Sequence, residues 1–152
     1  MLKYTSPQTL SVVGIPPATL RYWRPLLAPI SSYKAYGPCF TRGDLLALKV
    51  VKVLTRDFNI GIQSIGPTAD ALFKECNRPI WPTKNPGWFA YQPEMCVIQI
   101  IDTNHLFHMR AAVILVPIQP LLDELDEVLL SGASGRQQAE LPLAPVALAR
   151  RQ

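Results

Sequence analysis

The chain has 152 residues, of which 15 are proline and three cysteine, and carries a formal net charge of +4. That length buries one moderate core or two small ones, and Cys39, Cys76 and Cys96 form no C-x-x-C pair, which excludes a zinc ribbon and a thioredoxin-type redox motif. The charge is unevenly spread: residues 1–84 carry eleven basic and four acidic groups, a net of +7, and residues 85–152 carry four and seven, a net of −3, a polarity that predicts a nucleic-acid-facing first half and a neutral-to-acidic second one.

In chain order, Thr5 or Ser6 caps a first helix over residues 7–12, with Pro7 in its first turn. Gly14 makes a turn at positive φ. A second helix runs over residues 16–23 and stops at Arg24-Pro25, because a residue before proline is pushed out of the α region. Residues 26–30 link it to a short hairpin with strands at 33–35 and 39–40 and a Tyr36-Gly37-Pro38 tip. Thr41 caps a third helix whose core face is Leu45, Leu48, Val51 and Leu54. Lys49, Lys52 and Arg56 fall opposite as a basic stripe, the pattern of a solvated face. After a break at residues 58–61, Ile62, Ile65, Ala69, Leu72 and Phe73 continue helically, interrupted at Gly66-Pro67.

Residues 77–87 are a Pro-rich linker that cannot be helical. Strands follow at 88–91, 96–101 and 112–116. A last helix has the apolar face Ile118, Leu121, Leu122, Leu125, Val128 and Leu129, with Asp123, Glu124, Asp126 and Glu127 on its wet side. It is expected to pack on the three strands, and a second copy would stabilise so thin a core. Residues 131–152 read as a disordered tail. The apolar runs V-I-Q-I-I and A-A-V-I-L-V-P-I are too short to span a bilayer. With an odd cysteine count and no signal peptide, a soluble cytoplasmic protein is expected.

Tyr4-Thr5, Leu10, Gly14-Ile15 and Thr19-Leu20-Arg21-Tyr22-Trp23, followed by Phe40-Thr41 and Asp44-Leu45, resemble the MerR-like DNA-binding domain over residues 3–76, about half the chain. Pro16 replaces the usual N-cap serine, and Pro38 replaces the usual basic wing residue, leaving Lys34 as its substitute. The resemblance implies a winged helix-turn-helix over residues 1–76; with the linker at 77–87 and the small three-stranded sheet with one packed helix that the residue pattern gives over 88–130, an α+β chain is expected. The long dimerisation helix usual in that family is missing here.

The implied function is transcriptional regulation by binding double-stranded DNA, with the second helix as recognition helix in the major groove and a wing on the flanking backbone. Small and polar residues near that helix's start, with cations and hydroxyls at its flanks, suit the task. Pro17, Ala18, Thr19, Arg21 and Tyr22 supply them, and the family's use of its Arg-Tyr pair points to Arg21 and Tyr22. Lys34 and Tyr36 in the wing, and Arg42 after it, complete the candidate set. Trp23 has core spacing to Leu20 and Leu27 as well as a place in the motif.

A homodimer through residues 88–130 is expected, with no membrane partner and no cofactor. Asp102, His105 and His108 have ligand-like spacing but read as an ordinary turn, because further ligands are lacking. No Ser-His-Asp set, Gly-rich phosphate loop or paired catalytic carboxylates is recognisable, so no enzyme is expected. Two alternatives stay open. One is an architectural DNA-binding factor, excisionase-like or a phage DNA-packaging subunit. The other is a protein-interaction module with a degenerate helix-turn-helix, which Pro38 would suit.

Overall fold

In a computed structural model of the chain, which describes residues 2–34, 36–82, 84–106 and 108–134, the helices begin where side chains satisfy their first amides. Thr5 caps α1 (Ser6–Val13): its hydroxyl accepts from the Gln8 amide at 3.4 Å, and Gln8 Oε1 accepts from the Thr5 amide at 2.9 Å. Gly14 ends α1 at φ 72°, the left-handed conformation that glycine adopts without a Cβ penalty, and its amide bonds back to Leu10. Pro16 is extended, and α2 (Pro17–Trp23) follows.

α2 ends after Trp23, the expected stop, with Arg24 as its C-cap, but Arg24 is not pushed out of the α region as expected of a residue before proline. Arg24 keeps helical angles, φ −50° and ψ −51°, and the chain tightens into a 3-10 turn at Arg24–Leu26. Pro25 sits at the start of that turn, where its missing N–H removes no bond. The expected linker over 26–30 holds a further short helix, α3 (Ala28–Ser31).

The hairpin expected at 33–40 pairs differently. β1 (Lys3–Tyr4) lies antiparallel to β2 (Phe40–Thr41), with Lys3 opposite Thr41 and Tyr4 opposite Phe40, and the Cys39 amide extends the contact to the Tyr4 carbonyl at 3.0 Å. Tyr33 and Lys34 are not in a strand. The edge that β2 needs is supplied by the N-terminus, and Tyr33 is instead tied through its hydroxyl to Asp44. Ala35, the third residue of the expected strand, lies outside the described residues.

α4 (Arg42–Arg56) opens with a second capping box, Thr41 with Asp44. Leu45, Leu48, Val51 and Leu54 are fully buried, as their spacing predicts, but so are Leu46, Ala47 and Val50. The reason is position: α4 is the central helix, packed by α1, by α6 and by the last helix. α5 (Ile62–Ile65), a 3-10 turn at Gly66–Thr68 and α6 (Ala69–Cys76) form the interrupted segment that Gly66-Pro67 predicts.

β3 (Trp88–Gln92), β4 (Val97–Ile101) and β5 (Ile114–Pro117) make a small antiparallel sheet in the order β4-β3-β5. Tyr91 stands opposite Ile98 and Ile114, and Phe89 opposite Ile100 and Val116. By strand alternation these six share one face. The Tyr91 hydroxyl donates to the Ser64 carbonyl at 3.2 Å, and β4 packs on α6. A single turn, α7 (Thr103–Leu106), follows β4.

The last helix, α8 (Ile118–Ser134), corrects two expectations. It runs through residues 131–134, into the span expected to be a disordered tail; the rest of that span, residues 135–152, lies outside the described residues. Its main contacts are with α4 and α1 rather than with the sheet. Ile118, Leu121, Leu122 and Leu125 enter the same buried cluster as Leu45, Leu48, Phe89 and Tyr91, so residues 1–76 and 88–130 share one core. Among the described residues, no helix is long and apolar enough to cross a membrane.

Candidate nucleic-acid interface

α2 divides its residues as a helical period requires. Leu20 and Trp23, each 4% exposed, face the core, while Pro17, Ala18, Arg21 and Tyr22 are exposed and Thr19 is half-buried. Trp23 is therefore a core aromatic; its neighbour Tyr22, 54% exposed, stands outside. Arg21 makes no ion pair among the described residues. Its guanidinium donors are thus not engaged by a carboxylate of the described residues.

Gln63 joins this face from α5: its Nε2 donates to the Tyr22 hydroxyl at 3.3 Å. Nothing in the sequence pointed to it beyond a polar residue on the outer side of a helix whose inner positions are Ile62 and Ile65. Arg24, at the end of α2, turns inward. It donates to Ser6 Oγ at 3.3 Å and lies over the Phe40 ring, 5.8 Å from its centroid, so it ties α2 to α1 and β2.

Lys34 and Tyr36 lie on the loop before β2, both exposed, Tyr36 at 90%. The loop is held at each end. Tyr33 donates to Asp44 Oδ2 at 2.8 Å and meets Phe40 edge-on at 5.2 Å. Cys39 bonds to β1 through its amide, and its Sγ lies 3.7 Å from the carbonyls of Lys34 and Gly37. Burial, then the hydrogen bond to Asp44, pushes the Tyr33 phenol well above its ordinary range.

Arg42 does not stand with these residues as an unpaired cation. Its Nε and Nη2 donate to Asp126 Oδ1 on α8 at 3.1 and 2.6 Å. The basic stripe of α4 is likewise not a free solvated face. Lys49 is buried, with Nζ 3.1 Å from Glu124, and Lys52 Nζ donates to the Val13 carbonyl at 3.1 Å. Arg56 alone of the three is exposed and makes no ion pair among the described residues. The acidic side of α8 thus pairs with cations of α4 instead of being wholly wet.

Asp102 Oδ1 accepts from the amides of Asn104 and His105 at 3.0 and 3.1 Å and lies 2.8 Å from His105 Nδ1, which holds its carboxyl below the ordinary range. This is a capped turn at the start of α7. Among the described residues, no group of three or more His, Cys, Asp and Glu side chains could hold a metal ion. Comparison of the chain with protein-family models, with curated proteins and with solved structures gives no match in any of the three.

Proposed function

We propose that this chain is a MerR-like winged helix-turn-helix regulator that binds double-stranded DNA, with α2 as its recognition helix in the major groove and the loop of residues 34–39 as its wing on the flanking backbone. The observation that carries the reading is the split of α2: Leu20 and Trp23 anchor it in the core while Pro17, Ala18, Arg21 and Tyr22 form an exposed face, with Gln63 beside Tyr22. Small residues at the start of that face let the helix approach base edges, and Arg21, without an ion pair among the described residues, supplies charge-assisted donors. Lys34 and Tyr36 extend the contact from the wing, and Gln63 adds an amide beside Tyr22. Arg42, committed to Asp126, is left out of the contact set.

Dimerisation through residues 88–130 belongs to the same proposal. It is supported by the small sheet, in which β4 and β5 are edge strands among the described residues and offer backbone groups for a second copy. The testing experiment is retention of a random duplex pool at two salt concentrations, followed by sequencing. A palindromic motif whose retention falls steeply with salt is the expected result. Retention at neither concentration overturns the proposal, and enriched direct repeats favour an architectural factor instead.

A further inference from the structure

Asn77, just past the end of α6, bonds to both members of the capping box that starts α4. Its Nδ2 donates to Asp44 Oδ1 and to the Phe73 carbonyl, each at 2.9 Å, and its Oδ1 accepts from the Thr41 hydroxyl at 2.5 Å. Asp44 is 2% exposed and accepts from three groups: Asn77, the Thr41 amide at 2.9 Å and the Tyr33 phenol at 2.8 Å. Gly43 makes the approach possible, because a methyl group there would strike the Asn77 side chain and come within 2.7 Å of the Cys76 carbonyl. A capping box needs only Thr41 and Asp44. Tyr33 and Asn77 are additions to it, brought in from the base of the loop of residues 34–39 and from the start of the segment that leads to the sheet.

We propose that Asp44 and Asn77 position the loop of residues 34–39 and couple its first end to the end of α6. A buried carboxylate held by three donors tolerates little movement of any one of them, because a lost donor leaves a mostly buried acceptor underfilled. Withdrawal of Asn77 loosens Asp44, and with it the phenol that fixes the loop's first end. The consequence for DNA rests on the reading proposed above; the coupling itself does not.

The test is backbone amide exchange of the full chain without DNA, read at Cys39 and Phe40, for Asn77→Ala, Tyr33→Phe, their combination, and Ile65→Val as a control that weakens the core elsewhere. The expected result is several-fold faster exchange at Cys39 and Phe40 in both single variants, no further acceleration in the combination, and no local acceleration in the control. Effects that multiply in the combination mean independent local roles and overturn the coupling. So does faster exchange confined to the end of α6. Should Asn77→Ala not fold, Tyr33→Phe, which removes a single oxygen, still shows whether Asp44 fixes the loop. Affinity for the duplex pool is measured alongside, where Asn77→Ala is expected to weaken binding several-fold with an unchanged salt slope. Exchange as expected with no DNA binding by the wild type leaves the coupling standing and removes the DNA reading; DNA binding with unchanged exchange does the reverse.

Discussion

Lys49 of α4 is buried, at 7% exposure, and its ammonium lies 3.1 Å from the Glu124 carboxylate on α8. The two ends of this pair are unequal, because the Glu124 side chain is 63% exposed. Removing the exposed partner leaves a charge in the interior with nothing to balance it, whereas replacing the buried one with an apolar chain of similar length removes the desolvation cost. Glu124→Gln is expected to lower stability by about 1 kcal/mol, moderated by solvent around the carboxylate. Lys49→Met is expected to be neutral or stabilising. Denaturant midpoints decide it: because Met keeps the packing of the lysine stem, an unchanged midpoint for Glu124→Gln together with a large loss for Lys49→Met would show that the ammonium is held by groups other than Glu124.

Tyr22 and Trp23 are adjacent in sequence and opposite in role. Trp23→Ala empties a buried aromatic site and is expected to cost about 3–5 kcal/mol of stability. Tyr22→Ala, on the exposed face, is expected to change stability by no more than about 0.5 kcal/mol while reducing DNA affinity. Thermal melts and binding on the same preparations separate the two. If Tyr22→Ala melts as early as Trp23→Ala, the phenol is a packing residue and leaves the candidate interface.

These contrasts show where the sequence was legible. The caps at Thr5 and Thr41 are local, and so is the spacing that buries Leu20, Trp23 and Leu27. Local signals need no knowledge of the rest of the chain. The pairing of β2 was not legible, because its partner is the two-residue strand Lys3–Tyr4, too short to carry an alternation of its own. The docking of α8 was missed for a related reason. An amphipathic pattern says that Leu121, Leu122 and Leu125 must be covered, but not by which surface, and α4 offered apolar side chains and cations together. Lys49 looked solvated because the pattern of α4 alone does not reveal what packs on its third side. Gln63 could be assigned to the α2 face only once α5 was in place.

The three thiols are expected to react in an order set by exposure and ionisation. Cys96 is exposed, Cys39 half-buried and Cys76 buried. Burial first, then the nearby Asp44 and Glu75 carboxylates, pushes the Cys76 thiol well above its ordinary range. A raised pKa means a smaller thiolate fraction at any given pH, and the thiolate is the nucleophile. With a disulfide reagent near pH 8, Cys96 is expected to label first and Cys76 only as the chain unfolds. Native-state labelling of Cys76 as fast as Cys96 would contradict the close packing of the α6 end against Gly43.

Arg21 and Arg42 provide the sharpest test of the proposed interface, because both are arginines of the basic half and, among the described residues, only Arg42 has an ion-pair partner. Asp126 neutralises Arg42 within the fold, so Arg42→Ala is expected to leave DNA affinity nearly unchanged and to relieve Asp126 at a small stability cost. Arg21→Ala is expected to weaken binding by about 1–3 kcal/mol if it reads a base, with relaxed preference at one position. If it contacts only phosphate, binding weakens evenly across sequences and the salt slope falls by about one. Titrations of both variants against the selected duplex at several salt concentrations separate these cases. Equal losses for the two arginines would mean that general positive charge, and not the exposed face of α2, holds the DNA.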